Sequence, residues 1–341
     1  MMVDSLGVEK IDESTYRGLK PLCKPDRAAR GVYGGNLVGQ ALMVAMASAG
    51  EGFEPHSLHA YFVKATTDKS PLEWKVEQVS NGKTFANRHL QATQDGKITF
   101  LASVSLTKVN DFSKSVKEYE EKMEKYNKLQ NASSTSDDDN DDNDDDVEPS
   151  KPIQFQTPLL KWLQNSPKLE NLPTDKRFGV IKTDFKFPVE MVDLTATIEE
   201  ELQNVTDRKV GFLLRWTPDE EQTRLLANGD SPGATMIKYV GLGVLSDSIF
   251  LTRLARILRV ETVDLNHLVH YYSTSLDHVV YFHDHDFDPT QWMKFQFKAT
   301  RFGNRRVVLE AEIFNHKNVH VATIVQEGLV YFNGLEKYAK L

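Results

Sequence analysis

The stretch from Asn36 to Ala47 is almost entirely apolar, and small side chains (Gly39, Ala41, Ala45, Ala47) are interleaved with Leu, Val and Met along its whole length. A helix that is apolar nearly all round must be buried, and its small residues let a sheet approach closely. The pair Gly34-Gly35 stands at its start. The pattern then changes to short segments rich in aromatic and β-branched residues: Ser57–Val63, Leu72–Glu77, Phe85–Thr93 and Ile98–Leu106, with Asn81-Gly82 and Asp95-Gly96 as turns. Such spacing predicts antiparallel strands joined by hairpins. The same order recurs later. Gly243–Arg259 reads as a helix with Ser246 or Asp247 as its N-cap. Strand-like segments follow at Ser275–Phe282, Trp292–Thr300, Arg306–Phe314 and Val319–Tyr331. Ser57-Leu58-His59 lies over Ser275-Leu276-Asp277, and Ala102 lies over Ala322. The chain therefore reads as a twofold repeat of helix-then-sheet units.

The two repeats are held apart by a segment of different character. Residues 113–130 are charged and rich in helix formers. Residues 137–148 then contain eight Asp and one Glu and no base. Charge this dense repels itself and cannot bury a core, so the segment is expected to be disordered, a solvated insertion in a surface loop. The expected organisation is a first half over 1–112, a charged helix with disordered acidic insert and linker over 113–177, and a second half over 178–341. The net charge of −8 comes from the insert. The remainder is near neutral with no basic face, so nucleic acid is not an expected partner. The lone Cys23 allows neither an internal disulfide nor a cysteine metal site. No run of about 18 apolar residues is present to span a membrane. The chain ends Ala339-Lys340-Leu341, a small-basic-Leu tripeptide close to the address read by the peroxisomal import receptor.

Four motifs, in order and spread over both repeats, resemble the acyl-CoA thioesterase II family, whose members include peroxisomal enzymes. They are Tyr33-Gly34-Gly35-Asn36-Leu37-Val38-Gly39-Gln40-Ala41, His56-Ser57-Leu58-His59-Ala60-Tyr61-Phe62, Ser275-Leu276-Asp277-His278 and Val325-Gln326-Glu327-Gly328. The acidic insert has no counterpart in that pattern. The resemblance implies an α+β double hotdog, two tandem halves in each of which an antiparallel sheet wraps a long central helix. It also implies hydrolysis of fatty acyl-CoA without metal or cofactor. The family's catalytic Asp, Ser or Thr, and Gln match Asp247, Ser275 and Gln326. Assembly into a homo-oligomer through sheet edges is a further expectation.

The chemistry fits those residue types. A carboxylate can take the proton of an attacking water, while a hydroxyl and an amide hold that water in line. No Gly-x-Ser-x-Gly elbow supports a serine nucleophile instead. Backbone N–H groups at Gly34 and Gly35 could receive the oxyanion. Read without the family, Asp247 is a helix cap, Ser275 an ordinary strand residue and Gln326 a surface amide. The group His278, His283 and His285, interleaved with Asp284, Asp286 and Asp288, reads as a solvated loop rather than a metal site. His59 could be an interior polar residue, and Lys64, Arg88 and Arg301 are candidate contacts for the phosphates of CoA. Two other functions compete. An enoyl-CoA hydratase on the same fold would need a His and an Asn-Pro near Asp247, where the sequence has Ser248-Ile249-Phe250. A non-catalytic acyl-CoA-binding protein would have no use for the three site residues.

Overall fold

A computed structural model describes residues 6–25, 29–108, 111–133, 147–164, 178–181, 189–194, 204–218, 220–229, 231–248, 250–260 and 272–332, with 334, 337 and 339. The first half contains β1 (Val8–Lys10), β2 (Thr15–Gly18), α1 (Gly34–Ala49), β3 (Glu54–Phe62), β4 (Glu73–Asn81), β5 (Phe85–Gln94) and β6 (Lys97–Thr107). Between the halves lie α2 (Phe112–Ser133) and α3 (Lys161–Gln164). The second half begins with β7 (Phe178–Ile181), β8 (Val189–Leu194), β9 (Val210–Trp216), α4 (Glu220–Leu226) and α5 (Pro232–Ser246). A 3-10 turn (Phe250–Arg253) and α6 (Leu254–Ile257) lead to β10 (Tyr272–Ser275), β11 (Asp277–Phe282), β12 (Met293–Gly303), β13 (Arg306–Phe314) and β14 (His320–Tyr331).

One sheet runs through the molecule in the order β1-β2-β4-β5-β6-β3-β11-β14-β13-β12-β9-β8-β7, with β10 paired to β14. The halves join at its centre, where β3 and β11 pair antiparallel with His59 opposite Val279. Helices α1 and α5 lie against one another inside this sheet, so the architecture is the double hotdog the family resemblance implied. Their glycines set the approach. A Cβ on Gly39 would sit 3.1 Å from the Val240 carbonyl oxygen, and one on Gly243 would sit 2.6 Å from Leu42 Cδ1. The contacts Gly35 to Val244 and Gly39 to Val240 run in opposite directions along the two helices. The start of α1 therefore meets the end of α5.

One hairpin turn follows the sequence: Asp95 and Gly96 both take positive φ, 51° and 72°, the conformation of a tight two-residue turn. The other is longer than Asn81-Gly82 suggested: Asn81 still belongs to β4, and the chain turns over residues 82–84 with the Gly82 N–H donating to the Phe85 carbonyl at 2.8 Å. The second helix does not lie where its residues suggested. It begins at Ser231, whose hydroxyl accepts from the Ala234 N–H at 3.3 Å with Pro232 at the first helical position, and it ends at Ser246. Asp247 thus follows the helix at its C-cap rather than preceding one. The stretch expected to be linker is not all linker either. Leu159 and Leu163 are buried on Leu213 and Phe314, covering the outer face of β9 and β13. The Gln156 amide donates to the Asn318 carbonyl and accepts from the His320 N–H. The charged helix is present as α2, largely exposed and carrying the i,i+4 pair Glu124–Lys128 at 2.7 Å. The Asp run at 137–146 lies outside the described residues. Among the described residues no helix is long and apolar enough to cross a membrane.

Candidate active site

Helix α1 begins without a side-chain cap, because its N-cap residue is Tyr33. Its first N–H groups therefore need acceptors from elsewhere. The antiparallel packing of the two helices brings Asp247 to that point. The Gly35 N–H hydrogen-bonds to its carboxylate, while the Tyr33 hydroxyl donates to the Val244 carbonyl at 2.7 Å. Asp247 thus ends its own helix and caps the helix of the other half. Gly34 is required here, since a Cβ would collide with Asp247 Oδ2 and lie 3.0 Å from the Phe62 ring.

Two strands complete the group. Ser275 ends β10 and stands opposite Gly328 of β14, two residues beyond Gln326. The Gln326 amide donates from Nε2 to Asp247 Oδ1 at 2.9 Å and also to Ser275 Oγ. Ser275 Oγ in turn donates to Asp247 Oδ1 at 3.4 Å. Gln326 is fully buried, and Asp247 and Ser275 are partly buried. Burial drives the Asp247 pKa up to about 7, and the hydrogen bonds from Gln326, Ser275 and Gly35 only partly oppose it. The Asp247 carboxylate in turn adds to the burial that pushes the Tyr33 hydroxyl well above its usual range.

Three residues separated by 28 and 51 positions in the chain are thereby hydrogen-bonded into one cluster. A carboxylate poised near neutrality, a hydroxyl and an amide can bind a water and remove its proton. The glycines expected to form an oxyanion site are at this cluster, but the Gly35 N–H serves the carboxylate. Of the targeting residues, Ala339 packs partly buried against the core, and Lys340 and Leu341 lie outside the described residues.

Other sequence candidates go elsewhere. Arg88 is 2% exposed and gives its donors to the Ser48 hydroxyl and carbonyl, the Ser80 and Asn87 carbonyls and the Asn81 amide. It ties the end of α1 to the sheet and is not placed to meet a phosphate. His59 is exposed on the outer face against the Tyr281 ring, not interior. The histidine group separates. His283 bonds Thr323 at 2.8 Å, His285 faces Asp111 at 3.5 Å, and His278 is fully buried with Nε2 2.8 Å from Ser246 Oγ. Among the described residues no cluster of three or more His, Cys, Asp or Glu is arranged to hold a metal. The interior position of His278 was missed in the sequence, where it reads as the first of a run of loop histidines.

Comparison with known proteins agrees with this architecture. Residues 24–107 match the family model of the acyl-CoA thioesterase N-terminal domain, and residues 192–330 match that of the C-terminal domain. Acyl-coenzyme A thioesterase 8 of Mus musculus is 35% identical over 109 residues, which is 32% of this chain and only 33% of the mouse protein. The peroxisomal acyl-coenzyme A thioester hydrolase 1 of Saccharomyces cerevisiae is 22% identical over 315 residues, covering 89% of this chain and 87% of that one. The crystal structure of an acyl-CoA thioesterase II from Mycobacterium marinum superposes with a TM-score of 0.61 at 18% identity, over 98% of this chain and 99% of that one. Both halves are matched in order by their own domain models, and the chain belongs to the acyl-CoA thioesterase family.

Proposed function

We propose that this chain hydrolyses fatty acyl-CoA thioesters to a free fatty acid and coenzyme A, with Asp247 as general base and Ser275 and Gln326 positioning the attacking water. The observation that carries this reading is the convergence of those three side chains where the two helices cross, around a carboxylate whose pKa is about 7. Ionised Asp247 takes a proton from water as the oxygen attacks the thioester carbonyl carbon. The tetrahedral intermediate then expels the CoA thiolate, which recovers that proton from Asp247. A carboxyl with a pKa near 7 is suited to both transfers, because it is neither too weak a base for the first nor too weak an acid for the second. The Gly35 N–H is committed to the base, so the positive end of α1 offers the Gly34 N–H to the developing oxyanion.

The measurement is thiol release from acyl-CoA substrates of increasing chain length, followed across pH. The expected rate rises with pH through about 7, as Asp247 ionises, to a plateau. Tight binding of acyl-CoA with no thiol released at any chain length would make the protein a binder. Hydration of an enoyl-CoA without thiol release would make it a hydratase. The same reading places the protein in the peroxisome through recognition of Ala339-Lys340-Leu341 by the import receptor. The peroxisomal name of the yeast relative supports that placement. Deleting Leu341 should leave the protein in the cytosol, and unchanged import would remove the tail from the proposal.

A further inference from the structure

The Gln326 amide must present its NH₂ group to both Asp247 and Ser275, yet a primary amide can turn over end for end. Turned over, it would set Oε1 against the carboxylate and lose both hydrogen bonds. Something must hold the oxygen end. Strands β11 and β14 pair Val279 with Val325, so one step further in the same register His278 stands across from Gln326. Such cross-strand neighbours have Cβ atoms about 4.5–5.5 Å apart. Both side chains are fully buried. His278 Nδ1 and Gln326 Oε1 are both buried and meet no other partner, and the Gln326 side chain acts on His278 as a hydrogen-bonding neighbour that favours its charged form.

The two tautomers of His278 leave different atoms without a partner. If Nε2 carried the proton, His278 would donate to Ser246 Oγ and turn a bare Nδ1 toward the bare Gln326 Oε1, acceptor against acceptor. If Nδ1 carries it, Nδ1–H can donate to Gln326 Oε1, and the Ser246 hydroxyl turns from the Gly243 carbonyl, 2.8 Å away, to donate to Nε2. The two fully buried atoms that otherwise face each other as acceptors are then joined, in exchange for the Ser246 hydrogen bond to the Gly243 carbonyl. We propose that His278, as the neutral Nδ1–H tautomer, is a positioning residue that fixes the Gln326 amide with its NH₂ toward Asp247 and Ser275. This rests on the hydrolytic reading of those three residues. Burial keeps the ring neutral by holding its pKa down at about 4, so it neither accepts nor delivers a proton during turnover.

The first test needs no variant. Nitrogen-15 spectra of the histidine-labelled wild-type protein should show His278 protonated at Nδ1 and bare at Nε2; the opposite tautomer overturns the proposal. The second compares H278N with H278Q, checked for folding by thermal unfolding. The Asn amide nitrogen replaces Nδ1 and keeps the donor toward Gln326, whereas the Gln amide nitrogen replaces Nε2 and leaves that donor empty. H278N should keep kcat within about fivefold, while H278Q should lose about 10- to 100-fold, the scale of a misplaced reacting group, with KM nearly unchanged. The acid limb of the H278Q rate profile should also move to higher pH, because the Gln326 hydrogen bond holds the Asp247 pKa down. Equal rates for the two variants, or a faster H278Q, would contradict the assignment. If neither variant folds, the wild-type spectrum decides. A wild-type protein that releases no thiol defeats the hydrolytic reading, whereas an Nε2–H tautomer in an active enzyme defeats only this one.

Discussion

Replacing Asp247 with Asn should make the protein less active and, at alkaline pH, relatively more stable. Burial raises the Asp247 pKa to about 7 in the folded chain, while the unfolded value stays near that of an ordinary aspartate, about 3.9. The sign follows from linkage. Below pH 4 both states hold the proton and there is no penalty. As pH rises from there through 7, the unfolded state has already released its proton and the folded state resists, so wild-type stability falls. The full penalty is bounded by roughly 4 kcal/mol, and between pH 5 and pH 8 about 2.5 kcal/mol of it develops. Asn does not titrate, so this pH dependence is absent in the variant. Any hydrogen bond that the new amide fails to make shifts its stability equally at both pH values. At about 2 °C per kcal/mol, the lower end expected for a large domain, the melting difference between variant and wild type should change by roughly 5 °C between pH 5 and pH 8. Differential scanning fluorimetry at both pH values measures it. Thiol release at pH 8 should meanwhile fall by about two to four orders of magnitude. A melting difference independent of pH would show that Asp247 is not a carboxyl strained by burial, and normal turnover would reduce it to a cap.

Three further outcomes follow from the geometry. Gly34→Ala places a methyl group against Asp247 Oδ2 and should push the carboxylate by about 1 Å, lowering kcat by about 100-fold with a modest stability loss; steady-state kinetics showing wild-type kcat would refute that packing. Arg88→Ala should cost at least about 2 kcal/mol in denaturant unfolding, because it strands buried acceptors around the end of α1; a rise in KM for acyl-CoA without loss of stability would restore Arg88 as a substrate contact. Deleting Ser133 to Glu148 should change turnover by less than about tenfold, and a larger loss would mean that the acidic insert takes part in catalysis.

Much of the fold is legible because its signals are local. The alternating burial of β5 and β13 follows directly from alternating residues, and the Asp95-Gly96 turn carries its own backbone preference. Strand β9 escapes the same reading. Val210–Leu214 is buried throughout because Leu159 and Leu163, about 50 residues earlier, cover the face that alternation would leave to water. Helix α5 lies earlier in the chain than its pattern suggests for a related reason. Its start is marked by Ser231-Pro232, but apolar residues continue beyond Ser246 into the turn and α6, and periodicity cannot tell a helix end from a buried turn.

The site divides in the same way. Ser275 and Gln326 are identifiable in the sequence because each sits in a short motif resembling the family's, and Asp247 because it matches the family's catalytic Asp. Their meeting point, the near-neutral carboxyl, the trans cap on α1 and the place of His278 behind Gln326 are not. The sequence by itself determined two helix-and-sheet halves, their hairpins and the residue types for hydrolysis, since these depend on composition and spacing within a few residues. Only the tertiary structure decided that the start of one half's helix meets the end of the other's. That crossing removes water from around Asp247 and supplies Gly35, so the electrostatics of this carboxyl belong to both halves together and to neither alone.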